Sequence, residues 1–118
     1  MAIIVKFCLF IIYLLFYRSD NRVTSIFLKS PIMSSYTLAF LISDFDYISN
    51  ENEVAGTDEL VQRFYGRPGS TEKLQFALDN SISIMKALEE YFDLKFPLDK
   101  MDNAAIPGFF SGAMENFG

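Results

Sequence analysis

The residues best suited to chemistry in this 118-residue chain lie in the stretch Gly112–Gly118, where a carboxylate stands between two glycines. Glycine lets a ligand or another backbone approach closely, and apolar side chains flank the carboxylate of Glu115: Phe109, Phe110, Met114 and Phe117. A carboxylate beside apolar surface is a good receptor for an ammonium group. Extended backbone at Gly112–Met114 would also hydrogen-bond an extended peptide by strand addition. The simpler interpretation is a solvated surface acid, the usual role of a single glutamate.

The composition excludes several other kinds of chemistry. The chain has no histidine, the commonest zinc ligand and the usual general base at neutral pH. A Ser-His-Asp or Cys-His nucleophile system is therefore excluded within this chain. The single cysteine, Cys8, cannot form an intrachain disulfide. The net charge is −5, and no basic patch is interleaved with aromatic residues, so nucleic-acid binding is not predicted.

The apolar run Ala2–Tyr17, broken only by Lys6, permits three interpretations. A signal peptide would need a small-residue cleavage site, which the sequence does not offer. A helical membrane anchor would extend roughly 24 Å, short of the roughly 30 Å hydrocarbon core. The third interpretation is a buried strand, or a sequence outside the fold. We favour membrane association, because so continuous an apolar run is costly to expose to water.

The remainder of the chain predicts strands joined by polar turns. Ile32–Phe45 is apolar at both alternating sets of positions, which favours a strand buried on both sides. The pattern of Asp44–Gly56 predicts a polar connection. Leu60–Tyr65 is predicted to be a second strand, which ends at the turn Gly66–Gly69. Lys100–Ile106 is predicted to be a third extended segment.

One long helix is predicted over residues 70–92. Six apolar residues recur at steps of three and four, and so form a single stripe: Leu74, Leu78, Ile82, Met85, Leu88 and Phe92. Ser70 is a candidate N-cap, and Pro97 ends anything helical by Phe96. The prediction is an α+β fold, a partial domain of about three to four strands and one amphipathic helix, preceded by the apolar segment.

The string Gly112-Ala113-Met114-Glu115-Asn116 matches the substrate-amine motif of the aminopeptidase N family of zinc aminopeptidases. Further blocks resemble the family in the same order along the chain: Pro31–Phe40, Ser43–Phe45, Phe64–Pro68, Ala77–Asp79, Tyr91–Phe92, Phe96–Leu98 and Lys100–Asp102. The resemblance runs almost continuously from about Thr24 onward. Ordered blocks over such a length identify a family more specifically than a pentapeptide does.

The resemblance implies a role for each residue of the motif. Glu115 would bind the free α-amino group of a peptide, which is the partner implied, and so enforce exopeptidase cleavage. Gly112 and Ala113 would present backbone groups, and Met114 would line the specificity pocket. Asn116 completes the substrate-binding set. A fixed anion near a metal-bound water is what the removal of one terminal residue requires.

Features of the family that are missing from this sequence determine what we expect of its activity and its metal binding. The family binds zinc through His-Glu-x-x-His and a distant Glu, both carboxy-terminal to the motif, and this chain has neither. We therefore expect a piece of a zinc aminopeptidase that is inactive alone and holds no metal. Residues 1–23 would be the apolar segment, 24–45 the end of an amino-terminal β domain, and 46–118 the start of the catalytic domain.

Two other interpretations remain open at this point. The chain would be a small membrane-associated, non-enzymatic protein that keeps a peptide-end-binding strand, or a soluble α+β domain whose resemblance is incidental. The apolar run and the family together favour a membrane-associated or extracellular location, with the cytoplasm as the alternative.

Overall fold

The structure, a computed structural model, describes residues 6–8, 13–19, 22–27, 32–57 and 59–116. Seven strands occur in these ranges: β1 Lys6–Cys8, β2 Tyr13–Ser19, β3 Arg22–Phe27, β4 Leu41–Ser43, β5 Asp46–Ser49, β6 Val61–Gly66 and β7 Lys100–Ala104. The helical elements are a 3-10 turn at Ser35–Thr37, α1 Glu51–Val54 and α2 Thr71–Phe92. The α+β prediction is confirmed, with more strands than the three to four expected.

The strands form three sheets, of which one leads to the motif. β1 pairs with β4, and β2 pairs with β3, both antiparallel. The third sheet has the order β5-β6-β7, in which β5 is antiparallel and β7 parallel to β6. Parallel neighbours need a long crossover connection, and α2 provides it between β6 and β7. The motif that follows β7 is therefore positioned by the β6-α2-β7 unit.

The predicted helix is confirmed, and Ser70 occupies the N-cap position as predicted, but its side chain does not cap the helix. Ser70 precedes α2 with φ −105° and ψ 6°, and its side chain makes no capping bond. Its hydroxyl instead donates to the carbonyl of Arg67 at 2.5 Å. An N-cap residue usually has an extended backbone that turns its oxygen toward the helix amides, and Ser70 does not adopt it.

The carboxyl end of α2 forms a Schellman motif in which an aspartate takes the place of the usual glycine. Asp93 follows the helix in the left-handed region, at φ 52° and ψ 41°. The amide of Leu94 donates to the carbonyl of Glu89 at 3.2 Å, and the amide of Asp93 donates to that of Glu90 at 3.4 Å. These two bonds satisfy carbonyls that the last turn leaves free, so the helix ends well before Pro97.

Only the first half of the α2 stripe is covered by the described residues. Leu74 and Leu78 are buried, and Leu74 lies against Gly66 of β6. Further along the same stripe, Leu88 is 43% exposed and Phe92 is 62% exposed. The second half of the stripe is therefore left largely uncovered by the described residues.

The prediction of one long strand over Ile32–Phe45 is wrong in its extent. Only β4 is a strand there, and Ser35–Thr37 forms a 3-10 turn. The hydroxyl of Thr37 donates to the carbonyl of Ser34 at 2.6 Å, and its amide donates to the same oxygen at 3.1 Å. Such local side-chain bonds compete with a β-ladder. The expected burial on both faces is also wrong, because several apolar residues are exposed: Ile32, Tyr36, Leu38, Phe40 and Ile42.

The segment Asp44–Gly56, predicted to be a polar connection, contains both β5 and α1. Asn50 joins them and is only 2% exposed. Its side chain accepts from the amide of Gln62 at 2.7 Å and donates to the carbonyl of Leu60 at 3.1 Å. Gln62 in turn accepts a hydrogen bond from the hydroxyl of Ser81 on α2. The polar side chains here hold β5 and α1 in place by hydrogen bonds. The pattern of apolar residues in the sequence therefore did not predict these two elements.

Of the apolar run Ala2–Tyr17, the structure describes two parts, β1 and the first residues of β2, and both are strands. The rest of the run lies outside the described residues. No helix in the part of the chain that the structure describes is long and apolar enough to cross a membrane.

Candidate functional site

The motif lies on a loop that is anchored to the sheet at its start. The amide of Ala105 donates to the carbonyl of Tyr65 at 2.9 Å, which extends the β6–β7 pairing by one residue. A turn follows, in which the amide of Phe109 donates to the carbonyl of Ile106 at 3.4 Å and Gly108 has φ +71°. The chain thus leaves the sheet in a defined direction before it reaches Gly112.

Gly112 forms a tight turn at the entrance to the motif. The amide of Ala113 donates to the carbonyl of Ser111 at 2.9 Å, across a single residue whose φ is +75°. This is a γ-turn with a positive central φ, which side chains rarely tolerate. A Cβ at Gly112 would meet no atom within 4 Å, so the need for glycine is conformational. Because this bond uses the amide of Ala113, that amide is not free to donate to a peptide strand in this conformation, and only the carbonyl of Ala113 could be presented to a peptide.

Glu115 is exposed and available to a ligand. Within the ranges that the structure describes, its carboxylate forms no hydrogen bond or ion pair. The apolar residues around it do not close over it, since Phe110 is fully exposed and Phe109 and Met114 are 45% and 41% exposed. Phe117 lies outside the described residues. The structure therefore presents the anion on an open surface rather than in an apolar cleft.

Asn116 makes the one hydrogen bond described between the motif and a distant part of the chain. It is half-buried, whereas the four preceding residues are exposed. Its Nδ2 donates to the carbonyl of Thr37 at 3.2 Å, across 79 positions of sequence. Sequence reasoning missed Thr37, because a backbone acceptor has no side-chain signature.

A charged cluster ties β7 to β6 and α1. Arg63 of β6 pairs with Glu51 of α1, and its Nη1 lies 4.0 Å from Oδ1 of Asp102. Lys100 pairs with the other carboxylate oxygen of Asp102, whose side chain is only 3% exposed. Buried charges persist when they are paired. The cluster therefore fixes the sheet that carries the motif, and sequence reasoning did not predict it.

The cluster shifts two pKa values in the direction that keeps both groups charged. The hydrogen bond from Arg63 lowers the pKa of Glu51 below its ordinary value, against the opposing effect of burial. Burial acts to lower the pKa of Arg63, but the hydrogen bond to Glu51 and the charge of Asp102 together raise it.

A cavity of about 420 Å³ lies elsewhere, between α2 and the residues that precede β6. Its lining combines apolar residues with acids and lysines, and includes Leu60, Ile82, Met85, Lys86 and Glu89. None of the residues Gly112–Asn116 lines it. The motif is therefore an open surface site in this chain.

The residues of this chain do not fit a zinc ion of the family type. The chain has no histidine, and no three acidic or cysteine residues in the described ranges are grouped closely enough to hold a metal. The donor set that a catalytic zinc site requires is therefore not supplied by these 118 residues.

Residues 76–118, a little over a third of the chain, match the Peptidase family M1 domain, and this part contains the whole motif. The chain is 41% identical over 100 residues to Aminopeptidase N of Haemonchus contortus. It is 44% identical over 92 residues to the Puromycin-sensitive aminopeptidase of Caenorhabditis elegans, and 34% identical over 102 residues to Aminopeptidase 2, mitochondrial, of Saccharomyces cerevisiae. The chain is a relative of the aminopeptidase N family, which confirms the resemblance.

The matched regions cover 85%, 78% and 86% of this chain, and 10%, 9% and 10% of the three relatives. The chain therefore spans about a tenth of the length of the curated relatives it matches.

Proposed function

We propose that this chain provides the part of an aminopeptidase that binds the free amino end of a peptide. Glu115 is the anion that receives the α-ammonium group. Gly112 and Ala113 present backbone groups to the peptide, Met114 contacts its first side chain, and Asn116 completes the set. The observation that carries the proposal is that the family match over residues 76–118 contains the whole motif, while Glu115 is exposed and unpaired in the described ranges.

The chemistry of the proposal requires a carboxylate that no internal cation has neutralised. An ammonium group paired with a free carboxylate forms charge-assisted hydrogen bonds, which are stronger than neutral ones. A peptide whose amino end is acetylated, or an internal peptide bond, carries no such charge. Glu115 would therefore restrict binding to the free amino ends of peptides.

We further propose that this chain alone does not hydrolyse peptides. Zinc, when bound in a protein of this family, polarises the peptide carbonyl and activates water. The ligands would be residues that these 118 do not include, since no histidine is present. We therefore expect no chelator-sensitive release of amino acids from aminoacyl chromogenic substrates by the purified chain.

The proposal also concerns the domain organisation of this chain and its location in the cell. Residues 24–45 would form the end of an amino-terminal β domain and residues 46–118 the start of the catalytic domain, preceded by the apolar segment 1–23. The apolar run within 1–23 supports membrane association or an extracellular location. One relative is named as mitochondrial, so the compartment differs among the proteins that this chain resembles.

The experiment that tests the proposal compares a short peptide with its Nα-acetylated twin. Binding of each to the full chain is measured by NMR titration, for the wild type, Glu115→Gln and Glu53→Gln. Glu53 is the matched control, an exposed glutamate on α1. We expect Glu115→Gln to weaken binding of the free peptide about tenfold, the effect of one charge-assisted hydrogen bond, and to leave the acetylated peptide unchanged. Equal affinities for the free peptide in all three proteins would refute the proposal.

A further inference from the structure

We infer that Asn116 is a positioning residue, which ties the amine-binding motif to the turn at Ser35–Thr37 and so fixes the place of Glu115. The inference deepens the proposed function and rests on it. It assigns the side-chain amide of Asn116 to the carbonyl of Thr37, so that Asn116 serves the substrate-binding set by holding the motif in place. It also adds Thr37, from a distant part of the chain, to the residues on which amine binding depends.

The first step in the argument is that the acceptor is held in place before Asn116 reaches it. The amide and the hydroxyl of Thr37 both donate to the carbonyl of Ser34, at 3.1 Å and 2.6 Å. The amide of Leu38 donates to the carbonyl of Ser35 at 3.2 Å. Three hydrogen bonds within five residues make a rigid turn, and a rigid turn presents its next carbonyl in a fixed direction.

The second step is that the motif has no other anchor near Glu115 among the described residues. Gly112 bends the chain through its γ-turn, and residues 112–115 are exposed. Asn116 is the half-buried residue that follows, and its bond to Thr37 measures 3.2 Å. Glu115 is thus held between the Gly112 turn on one side and the Asn116 bond on the other.

The third step concerns the consequence for binding. A carboxylate on an unanchored loop must be ordered when the ligand arrives, and the entropy of ordering it reduces the affinity. A bond next to Glu115 removes part of that penalty in advance. Loss of the bond should therefore weaken the recognition of the ammonium group more than contacts made elsewhere in the peptide.

The test uses Asn116→Leu, which keeps the approximate size of the side chain and removes the donor. Asn80→Leu is the matched control, because the Nδ2 of Asn80 also donates to a backbone carbonyl, that of Phe76 at 2.7 Å, on the exposed face of α2. The measured quantity is the ratio of affinities for a free-amine peptide and its acetylated twin. We expect Asn116→Leu to lower this ratio about fivefold, the effect of one hydrogen bond, and Asn80→Leu to leave it unchanged. Asn116→Gln, which restores an amide donor on a longer stem, should recover part of the ratio.

A second measurement separates the bond from the function. The carbonyl carbon of Thr37 should change its NMR chemical shift in Asn116→Leu and keep it in Asn80→Leu, with the circular dichroism of α2 retained in both. An unchanged affinity ratio in Asn116→Leu would overturn the positioning role, and an unchanged Thr37 shift would overturn the bond itself. If the wild type does not distinguish the two peptides, the proposed function fails and the positioning role falls with it, while the Thr37 shift still decides the bond.

Discussion

At the scale of one residue, two glutamates in this chain show how the local environment decides whether a carboxylate is paired within the fold or open to a ligand. Glu51 accepts hydrogen bonds from the guanidinium of Arg63 and the hydroxyl of Ser49. Its charge is therefore already paired within the folded chain. Glu115 has no such partner in the described ranges and faces solvent. A carboxylate without internal partners is the one that a cationic ligand can bind without first breaking the structure.

Because the charge of Glu51 is paired in the folded chain, we expect the stability of the fold to depend on pH. Its pKa is lower in the folded chain than the ordinary value of 4.5, so its contribution to stability is complete above 4.5 and is lost as the pH falls through the lowered pKa. Because the side chain is 34% exposed, we expect Glu51→Gln to lower the free energy of unfolding by only about 0.5–1 kcal/mol at neutral pH.

Urea unfolding from neutral pH down to acid conditions measures this difference. The gap between the wild type and Glu51→Gln should close at acid pH, whereas Glu53→Gln on the same helix serves as the control for a solvent-exposed glutamate. A gap that is equally large at both ends of the range would contradict the assignment.

At the scale of elements, the contact between β6 and α2 determines where β7 and the motif lie. Gly66, the last residue of β6, is buried under the start of α2. A Cβ at this position would lie 2.8 Å from the hydroxyl oxygen of Ser70 and 3.1 Å from Cδ1 of Leu74. The helix approaches the strand closely because glycine has no side chain at this point.

This close approach predicts the effect of Gly66→Ala. The added methyl group forces Ser70 and Leu74 to shift, and overpacking of this kind lowers the free energy of unfolding by about 1–3 kcal/mol. Urea unfolding measures the change. The double variant Gly66→Ala/Ser70→Ala removes the shorter of the two contacts and should recover part of the loss. If the double variant is no more stable than expected from adding the two single effects, the steric explanation is wrong.

The elements differ in how far they could be predicted from sequence. α2 was predicted almost to the residue, because its stripe of six apolar residues from Leu74 to Phe92 repeats over about five turns. Leu60–Tyr65 and Lys100–Ile106 were also confirmed as strands, with β7 ending at Ala104. The segment Ile32–Phe45 was not, because the hydroxyl of Thr37 forms a local turn that an alternating apolar pattern does not record. Likewise, the motif could be located from its residue types, whereas its bond to Thr37 joins positions far apart in sequence.

At the scale of the whole molecule, the described residues bury little apolar surface. Five apolar side chains are buried: Phe45, Val54, Tyr65, Leu74 and Leu78. Many large ones are exposed, and those on or next to α2 include Phe76, Ile84, Leu88, Tyr91, Phe92 and Leu94. Exposed apolar surface of this extent favours association or insolubility. The chain on its own is therefore expected to be loosely packed and poorly soluble.

This surface predicts that the purified chain associates as its concentration rises. Sedimentation velocity should show a concentration-dependent mass, and the thermal unfolding transition should be broad and depend on concentration. Leu88→Gln/Phe92→Gln should reduce association, because both residues lie on the open half of the α2 stripe. Phe110→Gln, a fully exposed loop residue, is the control and should have a smaller effect. A sharp, cooperative transition that is independent of concentration would contradict this prediction.

The hydrogen bonds of Asn50 have a consequence for which substitutions this chain would tolerate. Between β5 and α1, its side chain is at once an acceptor for the amide of Gln62 and a donor to the carbonyl of Leu60. Aspartate would retain the acceptor but bring a charged oxygen toward that carbonyl, and serine would reach neither group from so short a side chain. Glutamine would carry both functions on a stem one carbon too long. A position that looks like an ordinary turn residue therefore favours asparagine over its nearest polar relatives, a selectivity more usual for a residue of a binding site.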